Sequence, residues 1–162
     1  MLQEDEKDTG KGYKIDALHK MVDSQELASI PLKLESSGTL KMFALYPSLK
    51  DVLDHGGTLF VDELNARLHP LLVRNIILTF LSPEINTQNA QLIFTTHDVW
   101  QFSNELLRRD EIWLVNKNRD GVSELYSLAD FKDEEGNKVR RDEALSKKYM
   151  TGSYGAIPAL KP

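Results

Sequence analysis

Thr58-Leu59-Phe60-Val61-Asp62-Glu63 governs how the rest of the chain reads. A threonine leads three apolar residues, and the run stops at two adjacent carboxylates. Such an uninterrupted run has the pattern of a central strand covered on both faces. In α/β folds ligands bind at the carboxyl ends of strands, so Asp62 and Glu63 arrive at the edge where chemistry takes place. Neighbouring residues point to opposite sides of a strand, so the two acids can hold different tasks. One would orient a magnesium ion and its waters, while the other polarises an attacking water. By itself, an Asp-Glu pair is more often an ordinary solubilising strand end.

Further along, Gln91-Leu92-Ile93-Phe94-Thr95-Thr96-His97-Asp98 repeats the pattern: a buried strand with a polar end. If this strand neighbours Thr58–Asp62, His97 lies beside Asp62 and Glu63 at one sheet edge. A histidine there can hydrogen-bond a γ-phosphate or an attacking water. Alone, it is a loop histidine or helix cap. Upstream, Leu34-Glu35-Ser36-Ser37-Gly38-Thr39 opens a helix. Small hydroxyl residues and a glycine at a helix N-terminus expose backbone N–H groups and suit an anion. The alternative is plain N-capping by Ser36 or Ser37.

The remaining pattern supplies the frame. Residues 1–12 are polar and read as a flexible start. A strand over Tyr13–Val22 is expected to pair with Ile30–Leu34 across an Asp23–Ser29 turn. A helix is expected from Gly38 to about Leu53, with Pro47 kinking or restarting it. Pro70 opens a second amphipathic helix that ends before Ser82-Pro83. Asp98 is expected to cap a third helix through about Leu107. Glu111–Val115 and Glu124–Leu128 read as strands joined at Asp120-Gly121, a strong hairpin signal. Lys132–Lys148 reads as loop plus a short helix. Strands alternating with helices indicate an α/β fold with a mainly parallel sheet flanked by helices and an antiparallel hairpin.

Composition narrows the class. The chain has 162 residues, 41% of them hydrophobic, which is enough for a real core and too many for a disordered chain. It contains no cysteine, which removes disulfide frameworks and thiol nucleophiles. Its longest apolar run is far below the ~20 residues a membrane helix needs. No apolar signal segment opens the sequence, so a cytoplasmic protein without direct membrane insertion is expected. The net charge of −5 gives no overall attraction to nucleic acid. Lys138–Arg141 and Lys147-Lys148 sit among acids and read as a solvated face. Asn116, Asn118, Asp120 and Gly121 imitate the start of a calcium loop, but Ser127 stands where a bidentate Glu is needed.

The order of these motifs resembles that in the second half of an ABC-type ATPase. More closely, the chain resembles the ABC-like AAA ATPases of bacterial abortive infection and phage defence. These are relatives of the ATPase heads of SMC and DNA-repair proteins and of the overcoming-lysogenization-defect family. Further stretches carry the likeness: Asp62–Pro70, Leu107–Trp113 and Tyr154–Pro158. The resemblance implies that Asp62 is the Walker-B aspartate, acting on Mg2+ through water, and that Glu63 is the catalytic base. Residues from Leu64 to His69, Asn65 among them, would form the D-loop, and His97 would be the switch histidine. Ser36, Ser37 and Gly38 would form the signature loop that touches ATP held by the opposite subunit of a homodimer. An effector protein or nucleic acid would be a further partner.

No G-x-x-x-x-G-K-[ST] loop occurs; Gly10-Lys11-Gly12 has neither the preceding strand nor the hydroxyl residue after its lysine. Residues 13–162 are therefore expected to be the C-terminal lobe of a P-loop ATPase domain, inactive by itself. Two other readings stand beside this one. One is a metal-dependent phosphohydrolase or nuclease using Asp62, Glu63, His69, His97 and Asp98. The other is a non-catalytic dimerisation module.

Overall fold

The fold, from a computed structural model, is described over residues 14–140 and 143–157, so the expected flexible start at 1–12 lies outside the described residues. The chain forms two compact units, Met1–Leu49 and Lys50–Pro162.

In the first unit, β1 (Asp16–Lys20) pairs antiparallel with β2 (Leu27–Pro31), Asp16 opposite Pro31 and Lys20 opposite Leu27. The hairpin is the expected one, but its second strand lies earlier in the sequence than Ile30–Leu34. Pro31 fixes φ and brings no ladder donor, so the strand ends there and Leu32–Leu34 form one 3-10 turn. The helix α1 (Ser37–His55) follows, and the boundary between the units falls inside it. Of the two expectations for Pro47, a kink or a restart, the restart does not occur: one helical run passes through it. A proline removes a single backbone donor. Beyond it the helix is supported by side-chain pairs one turn apart, Lys50–Asp54 at 2.5 Å and Asp51–His55 at 3.1 Å.

In the second unit, Gly56 and Gly57 at φ +84 and +107 turn the chain into β3 (Thr58–Val61). The helix α2 (Pro70–Leu81) returns it to β4 (Gln91–Phe94). β3 and β4 are parallel and in register, Thr58 opposite Gln91 and Val61 opposite Phe94. α2 packs against β4 and buries Val73, Ile76 and Ile77. The expectation that Thr58–Val61 is covered on both faces does not hold within the unit: Phe60 is 72% exposed and its neighbour Ile93 48%. Leu59, Val61, Leu92 and Phe94 alternate with them and are half-buried.

β5 (Trp113–Lys117) and β6 (Ser123–Ser127) form an antiparallel hairpin. Its turn is closed locally by Asn118 Oδ1, which accepts from the amides of Asp120 (3.0 Å) and Val122 (2.9 Å). The hairpin and α3 (Leu145–Met150) enclose a cluster of Ile112, Leu114, Leu128, Val139, Leu145 and Tyr154. The architecture is mixed α/β. The expected mainly parallel sheet is corrected: among the described residues the strands form three two-stranded sheets, and only β3–β4 is parallel. Short hairpin turns let β1–β2 and β5–β6 pair with themselves at little entropic cost, whereas a parallel neighbour needs a crossover.

The third helix expected from Asp98 to Leu107 is also corrected. Asp98 does cap, its carboxylate accepting from Trp100 N at 2.9 Å, but only a 3-10 turn (Val99–Gln101) follows. Gln101 is buried and donates to Pro70 O at 3.0 Å, which holds the turn against the start of α2. The chain then makes a separate turn in which Leu106 N and Leu107 N both reach Ser103 O.

Candidate active site

β3 and β4 run side by side in the same direction, so both leave the sheet at one edge. Beyond Val61 the chain turns through 62–69 in a succession of tight bends. Glu63 adopts φ +47, an uncommon left-handed geometry for a non-glycine residue, and Leu64 is fully buried directly behind it. The next bend closes through Ala66 N to Glu63 O (3.0 Å) and Leu68 N to Asn65 O (3.1 Å).

The expected neighbour relation is present. His97 Nε2 lies 3.3 Å from Glu63 Oε1. Both side chains face solvent, at 82% and 54% exposure, so water and an external ligand can reach them. A carboxylate within hydrogen-bond distance of an imidazole can pass or hold a proton for a bound water. Asp62 also sits at this edge, its Oδ1 accepting from Thr95 Oγ1 at 2.5 Å. Asn65 Oδ1 accepts from Thr96 Oγ1 at 2.9 Å, and Thr96 Oγ1 in turn accepts from Asp98 N at 2.9 Å. Asp62, Glu63 and His97 thus join through the Thr95 hydroxyl and the Glu63–His97 contact, while Asn65 is tied to Thr96 at the same strand edge. Thr95 and Thr96 were missed as members of this arrangement. Two hydroxyl residues directly before a histidine at a strand end were the available signal.

Ser36, Ser37 and Gly38 lie in the first unit, at the start of α1. Ser36 Oγ accepts from Thr39 N at 3.1 Å and contacts Thr39 Oγ1 at 2.8 Å, which is N-capping. Glu35, just before it, meets His19 Nε2 at 2.5 Å. Ser37 and Gly38 form the first turn, where helix amides lack intrahelical acceptors.

Of the residues in the phosphohydrolase reading, His69 is the N-cap of α2, its Nδ1 accepting from Leu71 N at 3.2 Å. Asp98 caps the 3-10 turn. Among the described residues no group of three or more His, Asp or Glu gathers as a metal-binding cluster. A Mg2+ ion of the phosphate-bound kind needs no such cluster, because it keeps most of its waters and takes one or two carboxylates. Asp62 fits that demand: it offers one carboxylate at the strand edge, its Oδ1 held by Thr95, and would be the group to meet such an ion. Asn118, Asp120 and Gly121 lie in the β5–β6 turn, as their spacing predicts. No helix among the described residues is long and apolar enough to cross a membrane.

No curated protein matches the chain. Residues 10–99 match the family described as "AAA domain, putative AbiEii toxin, Type IV TA system". That stretch is more than half of the chain and contains Ser36–Gly38, Asp62–Asn65 and His97. The family is one of ATPase-type domains, and with its match spanning the strand-end network, the chain belongs to this AAA domain family.

Proposed function

We propose that the chain is the C-terminal lobe of an ABC-like P-loop ATPase and supplies the water-activating side of its ATP site. The observation that carries this reading is the approach of His97 to Glu63 at the shared edge of a parallel strand pair. Glu63 is the general base, its carboxylate oriented toward solvent where a water can be held. His97 contacts the terminal phosphate of the substrate and senses its presence through Glu63. Asp62 holds Mg2+ through water, and the ion, when bound, offsets charge on the phosphate oxygens. Asn65 belongs to a D-loop at the dimer interface. Ser36, Ser37 and Gly38 present amides and hydroxyls to ATP held by a second subunit, so the working unit is a homodimer with nucleotide between its halves.

The phosphate-cradling loop lies outside these residues, in keeping with the open edges and exposed Phe60 and Ile93 of β3–β4. The family description supports a role in abortive infection, and the motif order relates the lobe to SMC and overcoming-lysogenization-defect heads acting on an effector or nucleic acid in the cytoplasm. The test is Mg2+-dependent phosphate release from ATP by the full-length protein, set beside calorimetric titration of ATP-Mg into the 162-residue chain. Phosphate release by the former and no micromolar binding by the latter are expected. Absence of release overturns the ATPase reading; micromolar binding by the chain alone overturns the lobe reading.

A further inference from the structure

Thr95 is bonded to four consecutive residues of the facing segment. Its amide donates to Val61 O at 3.1 Å, continuing the β3–β4 ladder by one step, and its carbonyl accepts from Leu64 N at 3.0 Å. Between these two backbone bonds lies the side chain. Thr95 Oγ1 donates to Asp62 Oδ1 at 2.5 Å and accepts from Glu63 N at 2.8 Å. The hydroxyl has one proton, and that proton is committed to the Asp62 carboxylate. One of its lone pairs is committed to the amide of Glu63.

From this geometry we infer that Thr95 is a positioning residue for the carboxylate pair, holding Asp62 and Glu63 in their working orientations through one hydroxyl. The inference rests on the reading of Glu63 as general base. The backbone bonds alone would hold Val61 and Leu64, the two flanks of the pair, whichever side chain stood at position 95. They leave open the rotation of the Asp62 side chain and the peptide plane that enters Glu63. The hydroxyl settles both. The Glu63 amide is anchored where that residue bends into the left-handed region at φ +47, and this bend turns its side chain toward His97. A charged acceptor makes the bond to Asp62 a strong, short one, so the Asp62 rotamer is fixed before any ligand arrives. Thr96 does the corresponding work for Asn65, which places two successive hydroxyls of one strand end on two successive parts of the facing turn.

The test compares Thr95→Val and Thr95→Ser in the full-length protein, with Glu63→Gln as reference. Valine keeps the shape and both backbone bonds and removes only the hydroxyl; serine keeps the hydroxyl. Thr95→Val is expected to lower kcat at least tenfold, with KM for ATP within threefold and the thermal midpoint within a few degrees of wild type. Thr95→Ser is expected to stay within threefold of wild-type kcat. A Thr95→Val enzyme with wild-type kcat, while Glu63→Gln is inactive, overturns the inference. So does a Thr95→Ser enzyme as slow as Thr95→Val, since shape and not the hydroxyl would then matter. Wild-type turnover by Glu63→Gln is the separate result that overturns the reading of Glu63 as general base, and the role of Thr95 with it.

Discussion

His97 Nε2 and Glu63 Oε1 stand 3.3 Å apart although 34 residues separate them in the chain. The parallel register explains the meeting. Val61 faces Phe94, so two further residues on one strand and three on the other bring the two side chains to the same edge. The pair is solvent-exposed, and exposed pairs of this kind contribute at most about 1 kcal/mol to stability. In the proposed function its value is chemical. His97→Ala should lower ATP turnover of the full-length protein about 100-fold, the scale of a lost acid–base partner, while leaving the urea midpoint unchanged. Turnover assays beside denaturation curves check both halves of that statement.

Leu64 is fully buried and its amide is held by Thr95 O. Truncating it to alanine removes the apolar anchor beneath the left-handed bend at Glu63. Leu64→Ala should lower unfolding free energy by about 2–5 kcal/mol, the range for large-to-small core changes. Urea denaturation of the 162-residue chain measures it. A loss below ~1 kcal/mol would mean that the turn is not anchored from beneath.

Around α3 the stability should depend on pH at both extremes. Burial pushes the Glu143 carboxyl up, but bonds from the Arg140 amide and the Tyr154 hydroxyl, with the charges of Lys148 and Arg140, outweigh it and hold it below its ordinary 4.5. Burial of the Tyr154 hydroxyl, reinforced by its donation to Glu143, pushes that group well above its ordinary 10.0. For the carboxyl, the unfolded chain binds more protons once pH falls below 4.5, so its contribution is present above that value and is lost on acidification. For the phenol, the folded state keeps its proton longer, so its contribution is complete below 10.0 and declines as pH rises beyond it. Tyr154→Phe should therefore narrow its stability deficit against wild type above pH 10 and at low pH, and show it in full between. Guanidinium midpoints across the pH range provide the check, and a deficit independent of pH would contradict the assignment.

The parts legible in the sequence were those written in local pattern. The apolar run Thr58–Val61, the Pro70 start of α2, the Gln91–Phe94 strand and the Asp120-Gly121 hairpin each stand where their residues predict. The meeting of His97 with Glu63 followed from assuming that two such strands are neighbours. What escaped depends on partners distant in the chain. Thr95 reads as the tail of a strand until the register brings it opposite Val61–Leu64. The helix expected after Asp98 gives way because the side chain of Gln101 is drawn to the Pro70 carbonyl, a contact 31 residues back. Apolar character at Phe60 and Ile93 suggested burial, but an apolar residue states a preference and carries no information about which surface will cover it.

The role of Glu63 is tested most directly by replacing it with glutamine, which keeps its size and removes its basicity. Glu63→Gln in the full-length protein should retain ATP binding within about threefold of wild type while losing at least about 100-fold in turnover, the scale of a missing general base. Turnover equal to wild type with ATP bound normally would contradict the assignment of Glu63 as the base.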